Sequence, residues 1–153
     1  MTLKQLTSKA LEYNYRNSVL PEPARYVKPY TDKTANGLTR CVIDYIRMEG
    51  GQAERVSVTG RYIDQSRIVT DVIGRVRKIG TGKWIPPSMQ KGSADVSSII
   101  KGGKTVKWEI KIGADRQSEA QKNYQKQVES AGGHYFIVRS WEDFLEKYNS
   151  LTI

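Results

Sequence analysis

Apolar positions along the chain recur at two periods, and the switches between them divide it into elements. Leu3, Leu6, Ala10 and Tyr13 recur at helical spacing, which predicts a short amphipathic helix over residues 3–16 acting as a packing arm. Pro21, Pro23 and Pro29 then break regular structure and predict an extended segment. Leu38, Val42, Ile43 and Ile46 form the stripe of a second helix, Thr34 to Met48, with Gly50-Gly51 as its stop signal. Gln52 to Ile63 reads as a strand and Ile68 to Val76 as another, with Gly74 at a bulge.

Alternation is clearest from Gly92 to Lys111, GSADVSSIIKGGKTVKWEIK, two strands joined at Gly102-Gly103. Val96, Ile100, Val106, Trp108 and Ile110 fall on even positions, with Ser98 the polar exception. Asp95, Ser97, Thr105, Lys107, Glu109 and Lys111 fall on odd positions, with Ile99 the apolar exception. Facing strand residues share a side of the sheet, so the apolar set selects even-with-even pairing and places Asp95 beside Glu109. A strict two-residue turn would pair odd with even. A three-residue loop or a bulge, with a glycine at positive φ, is therefore expected. Ser118 then reads as the N-cap of a helix to about Ser130, with Ala120, Tyr124, Gln127 and Val128 facing the sheet. His134 to Val138 reads as a buried strand, and residues 141–149 as a closing helix with Trp141, Phe144, Leu145 and Tyr148 inward. His134, the only histidine, is better explained by the strand it begins than by chemistry. The sum is one α/β domain, a mixed sheet of about five strands flanked by helices.

Composition narrows the setting. A chain of 153 residues suits one domain. It has no apolar run long enough to span a bilayer, and its start lacks the continuous apolar core of a signal peptide. Cys41 is the single cysteine, so an internal disulfide is excluded and a cytoplasmic, reducing setting is expected. One cysteine and one histidine also exclude a zinc site built from those residues. The net charge of +9 attracts polyanions, of which nucleic acid is the usual one; charge alone does not separate it from an anionic membrane.

Asp95, Glu109 and Lys111 converge on one hairpin face. Two carboxylates and a lysine suit a hard divalent cation, which polarises a phosphodiester and activates water, with the lysine orienting or deprotonating that water or offsetting transition-state charge. A solvated hairpin face whose carboxylates pair with lysines has the same spacing.

The longer run from Lys91 to Phe144 adds a resemblance. Gly92 and Asp95, a hairpin, Glu109-Ile110-Lys111, Ser118 and Gln121, Gly132-Gly133, then Val138-Arg139-Ser140 and Asp143-Phe144 occur in order. This is similar to the VRR-NUC branch of the PD-(D/E)XK nuclease superfamily, with Ser93-Ala94 where a proline often precedes the aspartate. The resemblance implies a restriction-endonuclease-like core over residues 31–153, preceded by an arm over residues 1–30. It implies a Mg²⁺- or Mn²⁺-dependent deoxyribonuclease. Asp95, Glu109 and the carbonyl of Ile110 would hold metal, Lys111 would act on the attacking water, and Gln121 would support it. It also implies duplex or branched DNA as substrate, as for Holliday-junction resolvases, and allows a homodimer. The family's helix acid has no counterpart at Ala35-Asn36-Gly37-Leu38. Asn36, water or an acid from elsewhere such as Asp71 is left to fill that place; Asp44 and Glu49 on the same helix do not align with it. The alternative is a nuclease-fold DNA-binding protein with weak or no catalysis.

Residues 75–91 carry Arg75, Arg77, Lys78, Lys83 and Lys91 without an acid, among Gly80, Gly82 and Pro86-Pro87. They read as a flexible basic loop for DNA phosphates, with Trp84 either stacking on an unpaired base or anchoring the loop. Gly80-Thr81-Gly82-Lys83 lacks the flanking spacing of a phosphate loop. Arg116 suits either a phosphate contact or a solvated loop. Tyr13, Tyr15, Tyr26 and Tyr30, interleaved with basic residues, suit packing or base stacking.

Overall fold

The computed structural model describes residues 1–57, 60–86 and 90–152. Val58 and Thr59, within the expected strand 52–63, and Pro87 to Met89, within the expected loop 75–91, lie outside the described residues. In chain order the elements are α1 (Leu3–Tyr15), α2 (Ala35–Met48), β1 (Gln52–Arg55), β2 (Arg61–Ile63), β3 (Arg67–Thr70), β4 (Val76–Ile79), β5 (Lys83–Ile85), β6 (Val96–Ile99), β7 (Thr105–Ile110), α3 (Glu119–Ser130), β8 (His134–Val138) and α4 (Trp141–Thr152). They divide into two units, Met1–Val56 with Gly92–Ile153, and Ser57–Lys91.

The larger unit is built on a four-stranded mixed sheet in the order β1-β6-β7-β8. The first three strands are antiparallel, and β8 returns parallel to β7 after the crossover through α3. The hairpin pairs even with even, Val96 with Trp108 and Ser98 with Val106. Lys101, Gly102 and Gly103 close it, with the Ile100 N–H bonded to the Lys104 carbonyl. Gly102 and Gly103 both have positive φ, 94° and 81°, as the turn requires.

The even face carries the core. Val96, Val106 and Trp108 are fully buried against Leu38, Val42 and Ile46 of α2 and Trp141 and Phe144 of α4. Each such side chain contributes roughly 1.5–3 kcal/mol by leaving water. Ser98 is no breach of the pattern: its hydroxyl donates to the Val106 carbonyl and accepts from Trp108 Nε1. Ile99, on the opposite face, is half exposed. Leu6 and Ala10 of α1 join the same core, whereas Tyr13 faces solvent. α4 runs to Thr152, further than expected, and buries Leu151 in addition to Trp141, Phe144 and Tyr148.

α3 covers the odd face through Tyr124, whose ring meets Tyr135 of β8 edge-on. Its inward residues are Ala120, Gln121, Tyr124, Gln125 and Val128, all half-buried. Gln127, expected on this face, is exposed. Gln125 takes its place because its side chain is held by Gln117.

The smaller unit departs most from expectation. Residues 52–63 are not one strand: β1 belongs to the sheet, and β2 pairs with β5. Residues 68–76 are not one strand either, because Asp71 and Gly74 turn the chain. The Asp71 carboxylate accepts the N–H groups of Ile73 and Arg75, and Gly74 has φ +80°. β3 and β4 therefore form a hairpin rather than a strand with a bulge. Arg75, Arg77, Lys78, Lys83 and Trp84 stand at the turn and on β4 and β5, not in a loop; Lys91 follows as an exposed turn residue. Among the described residues the central sheet thus has four strands, against the expected about five, and the region 61–85 pairs with itself.

Candidate active site

The hairpin register carries Asp95 one step beyond Val96–Trp108, opposite Glu109. Asp95 Oδ2 accepts the Ile110 N–H at 2.8 Å, which fixes its carboxylate at the end of the ladder. The Asp95 carbonyl accepts the Val56 N–H, so β1 holds the same residue from its other side. In an extended strand the Ile110 carbonyl lies on the same side as its N–H, toward Asp95.

Glu109 is the centre of the cluster. It is only 1% exposed, and every contact to it comes from a different element or turn. Gln121 of α3 donates to Oε1, Lys111 Nζ lies 3.1 Å from Oε1, and the Tyr135 hydroxyl of β8 donates to Oε2 at 3.1 Å. Burial raises the Glu109 pKa above its ordinary value and the Asp95 charge adds to this, against the lowering effect of Lys111 and Tyr135. Burial works to lower the pKa of Lys111, but Glu109 and Asp115 outweigh it and hold the ammonium above its ordinary range. Lys111 therefore stands as a fixed positive charge at neutral pH, not as a free amine. Burial and the neighbouring Glu109 likewise push the Tyr135 phenol up, so it remains a donor.

Two local devices hold α3 against this site. Ser118 and Gln121 form a capping box: the Ser118 hydroxyl accepts the Gln121 N–H, and Gln121 Oε1 accepts the Ser118 N–H. The Gln121 amide is thereby orientated, with its nitrogen toward Glu109. Gly92 packs its backbone against the first turn of α3, where a Cβ would lie 2.4 Å from the Ala120 carbonyl oxygen, and its φ is +88°.

The structure thus brings Asp95, Glu109, Ile110, Lys111 and Gln121 together. It adds three residues that the sequence did not single out for this place. Tyr135 reaches Glu109 through the parallel pairing of β7 with β8. Asp115 pairs with Lys111 at 3.3 Å. Arg139 clamps the Asp115 loop by donating to the carbonyls of Gly113 and Asp115, both at 3.1 Å. The signal for Tyr135 and Arg139 was long-range, since both depend on where β8 lies, whereas Asp115 lies only four residues after Lys111.

The acids considered for a third ligand place are engaged locally. Asp44 accepts from the Tyr30 hydroxyl and Glu49 pairs with Lys9. Asp71 caps its own turn, and the Asn36 side-chain oxygen accepts from Arg55. Among the described residues no three acidic, histidine or cysteine side chains group as a metal site. Arg116 is exposed in the loop between β7 and α3. A cleft of about 400 Å³ lined by Lys104, Lys107, Gly132 and His134 lies at the opposite end of β7 and contains no carboxylate.

Of the basic residues in Ser57–Lys91, Arg77 faces Asp71 at 3.7 Å and Lys78 pairs with Asp64 at 3.1 Å. Both cations are about two-thirds exposed, so these pairs are weak and open to exchange. Among the described residues, no helix is long and apolar enough to cross a membrane. No family model matches the chain, and no curated protein matches it.

Proposed function

We propose that this chain is a Mg²⁺- or Mn²⁺-dependent endonuclease of DNA with a PD-(D/E)XK core of the VRR-NUC type. One observation supports this most: Glu109 is held buried beside Asp95 by Lys111, Gln121 and Tyr135. Stability does not ask for that arrangement. Well-packed apolar residues in place of a buried ion pair are often neutral or stabilising.

The donor set fits a hard cation. A carboxylate has about four lone-pair sites. Asp95 spends one on Ile110, and Glu109 spends its sites on Lys111, Gln121 and Tyr135, leaving capacity on both residues. Two carboxylates with the Ile110 carbonyl suit Mg²⁺ or Mn²⁺, ions that keep several waters and take further oxygens from phosphate. Such an ion supplies Lewis acidity toward the phosphodiester and lowers the pKa of a water. The chain's own residues do the rest. Gln121 and Tyr135 aim Glu109, Asp115 and Glu109 hold Lys111, and the Lys111 ammonium stabilises negative charge at the phosphorus and orients a water. Arg75, Arg77, Lys78, Lys83, Lys91 and Arg116 supply backbone contacts and Trp84 a base contact, with duplex or branched DNA as substrate.

A second reading, a DNA-binding protein of weak or no catalysis, is favoured by the lack of a third acid among the described residues. Cleavage of plasmid, flap and four-way-junction DNA in Mg²⁺ and Mn²⁺ separates the two. Activity lost in Glu109→Ala and Lys111→Ala supports the nuclease. Cleavage that persists in both variants, or binding without any cleavage in the native protein, refutes it.

A further inference from the structure

The unit Ser57–Lys91 carries seven lysines and arginines against two aspartates, so +5 of the chain's +9 lies in these 35 residues. Its strands pair β2 with β5 and β3 with β4 in one shared register: Arg61 faces Ile85 and Arg67 faces Ile79. The two short sheets run in line as one interrupted ribbon, the ladder breaking between Ile63–Lys83 and Arg67–Ile79, where Gly80 has φ +104°.

Tyr62 and Trp84 face each other across β2 and β5. Each ring covers a glycine of the opposite strand. A Cβ at Gly60 would lie 2.5 Å from Trp84 Cζ2, and one at Gly82 would lie 1.7 Å from the Tyr62 hydroxyl oxygen. The glycines are required because the rings occupy that space. This pins the inner side of each ring to the ribbon and leaves Tyr62 63% and Trp84 59% exposed. Packing over glycine explains the inner sides. It leaves the outer ones unused.

The cations lie mainly on the other face of the ribbon, because alternation turns Arg61 and Lys83 away from Tyr62 and Trp84. Arg61 precedes Tyr62 and Lys83 precedes Trp84 in the chain. Further along, Arg67 and Arg77 share one face of β3–β4, each opposite an aliphatic residue, Ile79 and Val69. Two held rings with cations along one ribbon match what an unpaired nucleic-acid strand offers: base faces and regularly spaced phosphates.

We propose that the paired strands β2 to β5, Arg61 to Ile85, are a single-strand-binding ribbon, in which Tyr62 and Trp84 form a two-ring stacking platform on one face and Arg61, Arg67, Arg77 and Lys83 reach phosphates from the other, round the edges of the ribbon. The proposal rests on the nucleic-acid part of the reading above, not on catalysis. It names an unpaired segment as the part of the substrate that the ribbon takes. An anionic membrane shares the charge argument, and Val72 and Ile73 at the turn are exposed. The paired rings stand away from that turn, which favours bases over lipid.

The protein contains its own probe. Trp108 and Trp141 are fully buried, so acrylamide quenching of the native protein reads Trp84. The full chain is titrated with oligothymidylate in EDTA, at several salt concentrations. Oligothymidylate is expected to quench Trp84 emission and shield it from acrylamide. Tyr62→Ala should weaken binding roughly tenfold or more, and Tyr62→Phe should stay within a few-fold of native. Arg67→Gln and Arg77→Gln should each flatten the slope of log K against log salt by roughly 0.7. Far-UV circular dichroism confirms that each variant is folded.

Four results overturn the proposal: unshielded Trp84, Tyr62→Phe as weak as Tyr62→Ala, an unchanged salt slope, or shielding by phosphatidylserine vesicles and not by oligothymidylate. Shielding without cleavage in Mg²⁺ would sink the nuclease reading alone. Cleavage without shielding would sink the ribbon alone.

Discussion

Replacing Lys111 by methionine tests the electrostatics of the site most directly. Lys111 is 6% exposed and Glu109 1%, so removal leaves a carboxylate almost without water next to Asp95. Breaking a buried pair by removing one partner costs about 3–5 kcal/mol. Gln121 and Tyr135 still donate to Glu109, which places Lys111→Met near the lower end, about 3 kcal/mol at pH 7.5. The loss has a defined pH dependence. Without Lys111, the Glu109 pKa rises further above its ordinary 4.5, because burial and Asp95 act unopposed by the ammonium. A carboxyl whose folded pKa is raised contributes stability that is full below the unfolded value and lost as pH rises through the folded one. Acidification from pH 7.5 to 5.5 should therefore recover part of the deficit, by about 1.4 kcal/mol for each additional unit of pKa that lies in that window. The double variant Lys111→Met with Glu109→Gln removes the buried charge and should be more stable than Lys111→Met alone. Urea denaturation in EDTA, followed by far-UV circular dichroism with m-values compared, measures all three. A deficit under 1 kcal/mol, the size of an exposed pair, or one that does not shrink on acidification, would show that Glu109 is solvated after all.

Three further outcomes follow from particular contacts. Gly92→Ala should misplace α3 against the hairpin, since φ is +88° and the Ala120 carbonyl leaves no space; the Gln121–Glu109 hydrogen bond should be lost, read as a changed Gln121 side-chain amide resonance. Ser98→Ala should cost about 1–3 kcal/mol in urea denaturation, because the buried Trp108 N–H loses its acceptor. Cys41 is fully buried, and burial foremost pushes its thiol up to about 12, so Ellman's reagent should react only with the unfolded chain.

The part of the site that could be read from the sequence is the part set by local rules. Side-chain alternation, together with the parity of the Gly102-Gly103 turn, suffices to put Asp95 opposite Glu109. The motif S-x-x-Q is a capping box, and Arg139-Ser140-x-x-Asp143 is a helix start of the same kind: the Ser140 hydroxyl accepts the Asp143 N–H while Asp143 accepts the Arg139 N–H. These signals mark helices wherever they occur, so they locate α3 and α4 without naming a chemistry. Tyr135 and Arg139 stayed hidden because their positions depend on the register of a parallel pair separated by α3, and Asp115 because it stands in a loop without a periodic pattern. The second half of the ribbon, β4 and β5, reads as a loop in the sequence for a different reason. Both its faces meet solvent, so no apolar alternation specifies its pairing, and its glycines imitate loop punctuation.

The sheet ladder also has a topological consequence. Val56 and Asp95 are hydrogen-bonded at 2.8 Å, so the chain leaves β1 and rejoins β6 at nearly one point. Everything between is an insertion into a β-hairpin whose stem is already complete. Closing a loop costs only about 0.6 kcal/mol for each doubling of its length. Trimming the insertion of 35 residues to a tight turn changes that entropy by about 2 kcal/mol, in favour of the remaining fold. The Asp95–Glu109 ladder would thus tolerate exchange of the inserted segment. The inserted segment can therefore be exchanged as a cassette, while the sheet of the larger unit keeps its own framework.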